Sequence, residues 1–381
     1  MIPYGKQDIT EEDIEAVVKV MRSDFLTQGP AVPAFEQKLC NYTGAKHVVA
    51  VNSCTSALHI ACLALDLGPG DILWTSPITF VASANCALYC GATVDFVDIE
   101  PNTALMSIKA LESKLEKARQ QGKLPKIVIP VHFSGQSCDM RAIAKLGEKY
   151  NFKIIEDAAH AVGASYLNKK IGGCQYSDIT VFSFHPVKII TTGEGGAALT
   201  NSDALTKKMQ LLRSHGITRD PRDMVHVNNN DWYYEQISLG FNYRMSDIQA
   251  ALGISQLNKL DTYISKRREI SSWYDEQFNG INIKPLIQNK DTSSSHHLYV
   301  VRIGGGENER DELFSYLRKN NILVNLHYIP IYKQPYFNKK YTLAGSEEYY
   351  KSAISLPIFP KIRKKSLETV VQKIFEFYEC S

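Results

Sequence analysis

The 381-residue chain is expected to fold as an α/β protein with a mostly parallel central sheet, followed by a smaller α+β region. Three observations carry that expectation. Short apolar, β-rich runs alternate with helix-like segments as far as about residue 250. The pattern then changes to long helices. Several of the runs stop at polar or small residues, as strands do at the edge where open α/β sheets bind ligands.

In chain order, Thr10-Glu11-Glu12-Asp13 starts a helix with Ile14, Val17, Val18 and Met21 on one face. Strand-like runs follow at 48–51, 72–76, 93–98, 126–133, 153–157, 180–184 and 196–200, with an apolar helix at 56–67 after the first. The polar stretch 219–234, which includes Asn228-Asn229-Asn230, is long enough to be a functional loop. Beyond Arg244, helices are expected over 247–278, a strand at 297–303 and a helix at 310–320. This pattern divides the chain into a large domain, 1–250, and a small one, 251–381. The basic run 361–365 reads as a solvated face or the start of a terminal helix.

Composition narrows the class. With 44% apolar and 22% charged residues, the chain resembles an ordinary globular protein with a sizeable core. Net charge is only +3, so neither a nucleic-acid nor a membrane footprint is visible. No run of eighteen apolar residues suggests a membrane span. The N-terminus lacks a basic segment leading into an apolar run, so no secretory signal is expected. The eight cysteines form no C-x-x-C pair, which argues against zinc or thioredoxin-like chemistry and for a reducing cytosol. Cys86 and Cys90 have helical spacing in an apolar stretch and are expected to pack.

Lys188 carries the chemistry. It follows Ser183-Phe184-His185-Pro186-Val187 and precedes Thr191-Thr192-Gly193-Glu194-Gly195-Gly196, at the end of an alternating apolar strand. An isolated lysine is most simply a surface residue. One at a strand end facing a cleft loses hydration, its pKa falls, and the neutral amine can form a Schiff base. Asp157 closes the run Lys153-Ile154-Ile155-Glu156-Asp157 in the same way. Alone it is more often an N-cap or a surface carboxylate. A lysine for an aldehyde, a carboxylate for a ring nitrogen and an anion cradle are what pyridoxal phosphate asks of its protein. Asn52-Ser53-Cys54-Thr55-Ser56, between a strand and a helix, offers hydroxyls and free N–H groups for a phosphate, although ordinary N-capping reads the same way. Ser183 can add a hydroxyl, and Phe80 can stack on a flat ring or belong to the core.

These motifs resemble the DegT/DnrJ/EryC1/StrS family of sugar aminotransferases. The likeness runs through Leu26-Thr27-Gln28-Gly29, Gly70-Asp71, Ile78-Thr79-Phe80-Val81-Ala82 and Glu156-Asp157-Ala158-Ala159-His160. It continues through Ser183-Phe184-His185 with Lys188, Gly193-Glu194-Gly195-Gly196, Leu211-Leu212-Arg213-Ser214-His215-Gly216 and Gly240-Phe241-Asn242-Tyr243-Arg244. One departure stands out. Many relatives have Ser-Gly-Thr where this chain has Ser53-Cys54-Thr55, and a cysteine argues against a strongly positive φ there.

The resemblance implies the pyridoxal-phosphate-dependent transferase fold of type I, as in aspartate aminotransferase, and a homodimer with shared sites. It implies that Lys188 holds the cofactor and shuttles protons, that Asp157 pairs with the pyridine nitrogen and that His160 lies near the phenolic oxygen. Phe80 would cover the ring. Cys54, Thr55 and Ser183 would line the phosphate or substrate side, and Asn242 would reach the neighbouring subunit's cofactor phosphate. Tyr4, Asp24, Phe25, Leu26, Thr27, His327, Tyr328, Ile329, Pro330 and Tyr332 would surround a nucleotide sugar, with Cys54, Ser183 and Asn242 beside it. For His327 and Tyr328 an ordinary strand end is the alternative. The implied reaction moves nitrogen from glutamate to a nucleotide-linked 4-keto-6-deoxy sugar, with members acting on the UDP-linked N-acetylated L-arabino sugar of pseudaminic acid synthesis resembling the chain most.

Two other classes fit less well. A deoxygenating dehydrase on this fold would carry histidine at Lys188, and a nicotinamide oxidoreductase would need G-x-G-x-x-G where residues 52–56 contain no glycine. A silent sugar-binding regulator would have no need of Lys188 and Asp157 together.

Overall fold

The computed structural model describes residues 1–226, 230–337 and 342–379. Asn228 and Asn229 of the polar stretch, and Cys380, lie outside them.

Each of the seven strand-like runs contributes a strand: β1 (His47–Val51), β2 (Ile72–Thr75), β3 (Thr93–Phe96), β4 (Ile127–Ile129), β5 (Lys153–Asp157), β6 (Ile179–Ser183) and β7 (Gly196–Thr200). They form one sheet in the order β1-β7-β6-β5-β4-β2-β3. The β6–β5, β5–β4, β4–β2 and β2–β3 pairs are parallel. Strand β7 is antiparallel to both neighbours, with Ser183 opposite Gly196 and Val51 opposite Gly196 on the other side. Helices cover both faces, and most strand residues are buried, with Lys153 and Thr93 exposed at strand starts.

Side-chain alternation divides the core. Val48 and Ala50 enter one cluster, together with Phe35 and Leu39 of α2 (Ala31–Thr43). Val49 and Val51 enter the other, with Leu58 and Ile60 of α3 (Cys54–Ala64) and Ala84 of α4 (Ala82–Tyr89). A third cluster holds the antiparallel sheet β8 (Ile283–Pro285), β9 (Tyr299–Ile303) and β10 (Ala353–Leu356). Two expected features, the strand at 297–303 and the helix at 310–320, are β9 and a helix at Gly306–Lys319. The basic run leads into a terminal helix, Lys364–Glu379.

The division drawn at 250 falls inside a helix, Asp247–Leu257. The next helix, Leu260–Gln277, gives Leu260 and Ile264 to the first cluster and Ile270 and Tyr274 to the third. Residues Ile2–Pro3 also pair with Ile322–Leu323. Both features tie the N-terminal and C-terminal parts of the chain together.

The first helix, α1 (Glu11–Met21), starts where the Thr10–Asp13 capping box places it. Its apolar face is largely open: Ile14 and Met21 are exposed, and Val17 and Val18 are half-buried. Asp13 is the buried residue, gripped by Lys259 Nζ and Gln256 Nε2, each at 2.7 Å. Periodicity located the helix but could not show which face the rest of the fold would cover. Among the described residues no helix is long and apolar enough to cross a membrane.

Candidate active site

The C-terminal edge of the parallel strands opens into a cavity of about 1080 Å³. Its wall combines residues that follow β1, β2, β5 and β6 with His297 and the segment 325–329 from the C-terminal part.

Lys188 sits in a loop stitched to itself between β6 and β7. Phe184 N–H donates to Gly195 O at 2.9 Å, Thr192 N–H to Phe184 O at 3.0 Å and Lys188 N–H to His185 O at 2.9 Å. Thr191 Oγ1 donates to Phe184 O at 2.9 Å and accepts the Gly193 N–H at 2.9 Å, where Gly193 takes a φ of 80°. Among the described residues the Lys188 amine forms no hydrogen bond or ion pair. Burial pushes the pKa of that amine below the usual lysine value, against the opposing pull of Cys54 and Asp157.

Asp157 is buried at the end of β5. Its Oδ2 accepts the Ser83 hydroxyl at 2.6 Å and its Oδ1 the Ala159 N–H at 3.1 Å. Thr79 Oγ1 lies 2.8 Å from Ser83 Oγ, so a short hydroxyl chain steadies the carboxylate. The adjacent Glu156 faces the other side of the sheet, where it meets buried His132 at 2.6 Å.

The turn after β1 is built as a helix start. Ser53 is extended (φ −163°, ψ 159°) and caps α3 by accepting the Ser56 N–H at 3.1 Å. Cys54 is thus the first helical residue and needs no positive φ. The Cys54 and Thr55 N–H groups are the helix's first two and have no intrahelical acceptor. Gly196 of β7 packs directly on this turn, where a Cβ would lie 2.5 Å from Cys54 N.

Three histidines and two tyrosines complete the wall. His160 Nδ1 accepts the Ser134 N–H at 3.3 Å, which leaves Nε2 to donate to Tyr328 Oη at 3.2 Å. The His297 ring lies 4.4 Å from that of His160, and the Tyr4 ring 5.3 Å from that of His327. Burial, reinforced by Lys188, lowers all three histidine pKa values, that of His327 to about 3. Burial also raises the Tyr328 hydroxyl pKa. The rings therefore offer neutral hydrogen-bonding groups rather than charge.

Of the residues singled out from sequence, Tyr4, Cys54, Thr55, Phe80, Asp157, His160, Ser183, Lys188, His327, Tyr328 and Ile329 all line this cavity. Others do not. Asp24, Phe25, Leu26 and Thr27 are exposed outside its wall. Asn242 also lies outside the wall, with its carbonyl accepting from Asn52 Nδ2 at 3.4 Å. Pro330 is buried, and Tyr332 turns into the core, with its ring 6.2 Å from that of Phe96 and its hydroxyl on Glu347 at 2.8 Å. Phe80 is 59% exposed, so it forms a rim rather than core. Ser83, Glu194, Gln249 and His297 were not anticipated. The Ser246-x-x-Gln249 capping box was a readable signal for Gln249. Nothing in the pattern around His297 separates it from a core histidine.

The DegT/DnrJ/EryC1/StrS aminotransferase family matches residues 7–375. The chain belongs to this family. It is 40% identical over 384 residues to the UDP-4-amino-4,6-dideoxy-N-acetyl-beta-L-altrosamine transaminase of Campylobacter jejuni subsp. jejuni serotype O:23/36 (strain 81-176), covering all of this chain and 98% of that protein. Among solved structures it is similar to Helicobacter pylori PseC, an aminotransferase involved in the biosynthesis of pseudoaminic acid. The TM-score is 0.91 with 32% identity over 100% of both chains. The PMP-form of the putative sugar aminotransferase Spr1654 from Streptococcus pneumoniae gives 0.90 with 30% identity, over 100% and 99% of the two chains.

The chain is therefore a pyridoxal-phosphate-dependent sugar aminotransferase with the type I fold. The residues present fit the cofactor. The aminotransferase has a desolvated amine without an acceptor for the aldehyde, and a held carboxylate for the ring nitrogen. It also has a helix N-terminus with two free N–H groups beside Thr55 and Ser183 for the phosphate.

Proposed function

We propose that this aminotransferase moves an amino group from L-glutamate to C4 of a nucleotide-linked 4-keto-6-deoxy sugar. The substrate we infer is UDP-2-acetamido-2,6-dideoxy-β-L-arabino-hexos-4-ulose, in pseudaminic acid biosynthesis in the cytosol. The observation that carries this reading is the full-length 40% identity to a transaminase named for the corresponding 4-amino sugar.

Bound pyridoxal phosphate supplies an electron sink for the carbon next to the transferred nitrogen. The chain supplies the rest. Asp157, steadied by Ser83 and the Ala159 N–H, keeps the ring nitrogen protonated. Lys188 has a lowered pKa and takes the proton from the donor's α-carbon as a neutral amine. In the second half it returns a proton to C4 of the sugar. His160, His297, His327, Tyr328 and Tyr4 present neutral donors and acceptors to a hydroxyl-rich ligand. Phe80 and Ile329, at the open rim, shield the reacting groups from water.

We further propose that the working unit is a homodimer. Asn242 lies outside this chain's own cavity and would reach the cofactor phosphate of a second copy. The exposed Trp232 and Leu239 support burial by that copy. Sedimentation should show a dimer, and mixing inactive Lys188→Ala and Asn242→Ala chains should recover roughly a quarter of the activity by random pairing. A fully active monomer would defeat this part.

The substrate is tested by mixing the pyridoxamine form of the enzyme with UDP-linked and dTDP-linked 3-keto and 4-keto sugars and following the amine by mass. Turnover should be confined to, or fastest with, the UDP-linked 4-keto sugar. Turnover only with a dTDP-linked 3-keto sugar would overturn the substrate and leave the sugar aminotransferase class intact.

A further inference from the structure

The first turn of helix Asp247–Leu257 holds two distant parts of the molecule at once. Ser246 and Gln249 cap it reciprocally: Ser246 Oγ accepts the Gln249 N–H at 3.3 Å, and Gln249 Oε1 accepts the Ser246 N–H at 2.9 Å. Gln249 Nε2 then donates to Glu194 O at 2.8 Å, in the loop that carries Lys188, and both residues line the cavity. Asp247 points the other way. It is 1% exposed; its Oδ2 accepts the Gly29 N–H at 2.7 Å, and its Oδ1 accepts the N–H groups of Ala31 at 2.7 Å and Val32 at 3.3 Å. Its own N–H donates to Leu26 O at 2.9 Å, and Thr27 bridges to Ser246.

A buried carboxylate costs several kcal/mol unless other groups answer its charge. Among the described residues Asp247 forms no ion pair; backbone N–H groups at the start of α2 answer it. The carboxylate fixes the chain at Gly29, Ala31 and Val32, directly after the exposed segment 24–28, in which Gln28 takes a φ of 56°; the main chain of Asp247 holds Leu26 in that segment. Gly29 is the matching part. A Cβ there would lie 2.4 Å from Phe25 Cβ and 3.2 Å from Asp247 Oδ1, so a side chain must displace the segment.

We infer that Asp247 is a positioning residue for nucleotide-sugar binding: it sets residues 24–28 relative to the Lys188 loop, and Gln249 ties its helix to that loop. The inference rests on the reading that Asp24, Phe25, Leu26 and Thr27 touch the nucleotide sugar. It concerns the second half-reaction, in which the nucleotide sugar binds.

The test measures the two half-reactions separately in holoenzyme variants Asp247→Asn, Gly29→Ala and Thr27→Ala. The glutamate half is read from visible absorbance, the sugar half from product mass. Asp247→Asn and Gly29→Ala should each raise KM for the UDP-linked keto sugar about tenfold or more, with the glutamate half within about twofold of wild type. Equal loss in both halves would make Asp247 merely structural and overturn the inference. A raised sugar KM in Thr27→Ala alone would overturn it while leaving the substrate-loop reading standing. An unchanged sugar KM in all three would overturn both. If Asp247→Asn fails to fold, Gly29→Ala decides by the same criteria.

Discussion

His160, His297 and His327 show what one lysine does to its neighbours. Burial first, and then proximity to Lys188, disfavour a positive charge on these rings, and the His327 pKa falls to about 3. In the unfolded chain these histidines titrate near 6.5. Between those values the unfolded state binds more protons than the folded one, so stability rises with pH. Equivalently, stability is lost as pH falls from about 6.5 towards 3 and is unaffected by these groups above that window. Urea unfolding of the apoenzyme between about pH 4 and 7 should show this slope. His327→Asn should flatten it. An unchanged slope in that variant would contradict the burial argument. Lys188 and Asp157 were legible because an apolar strand running into a charged residue beside glycine or small residues is an uncommon local pattern. His297 sits among serines and an ordinary strand start, and only the fold brings it to His160.

Elements were more legible than their surroundings. The seven central strands are largely buried because both faces are covered, and their short β-branched and apolar runs are visible along the chain. Helix α1 was found from its capping box, yet its buried residue is Asp13. The cap signal is local, whereas the contact with Lys259 and Gln256 joins segments more than 240 residues apart. Asp13 closes the capping box from N3, pairs with Lys259 and anchors at once. Burial alone would raise its pKa; the Lys259, Ser255 and Gln256 contacts together with the Thr10 N–H reverse that. Asp13→Asn keeps the shape and removes the charge, and should cost about 2 kcal/mol of unfolding free energy in the apoenzyme. A change within about 0.5 kcal/mol would mean the pair is no stronger than an exposed one.

At the scale of the whole molecule, the sheet edge gathers residues from position 4 to position 334 into one cavity, and most of the residues singled out from the sequence, chiefly through family likeness, line it. The exceptions are of two kinds. Residues 24–27 and Asn242 are exposed outside its wall, and Tyr332 belongs to the core behind the wall. Local pattern cannot show which side of a turn faces the ligand. The central claim is that the desolvated amine of Lys188 is where the cofactor attaches. Holoenzyme reduced with borohydride, digested and analysed by mass spectrometry should carry a phosphopyridoxyl group on the peptide containing Lys188, and Lys188→Ala should carry none while unfolding normally. The group on a different lysine, or retained in Lys188→Ala, would contradict the account.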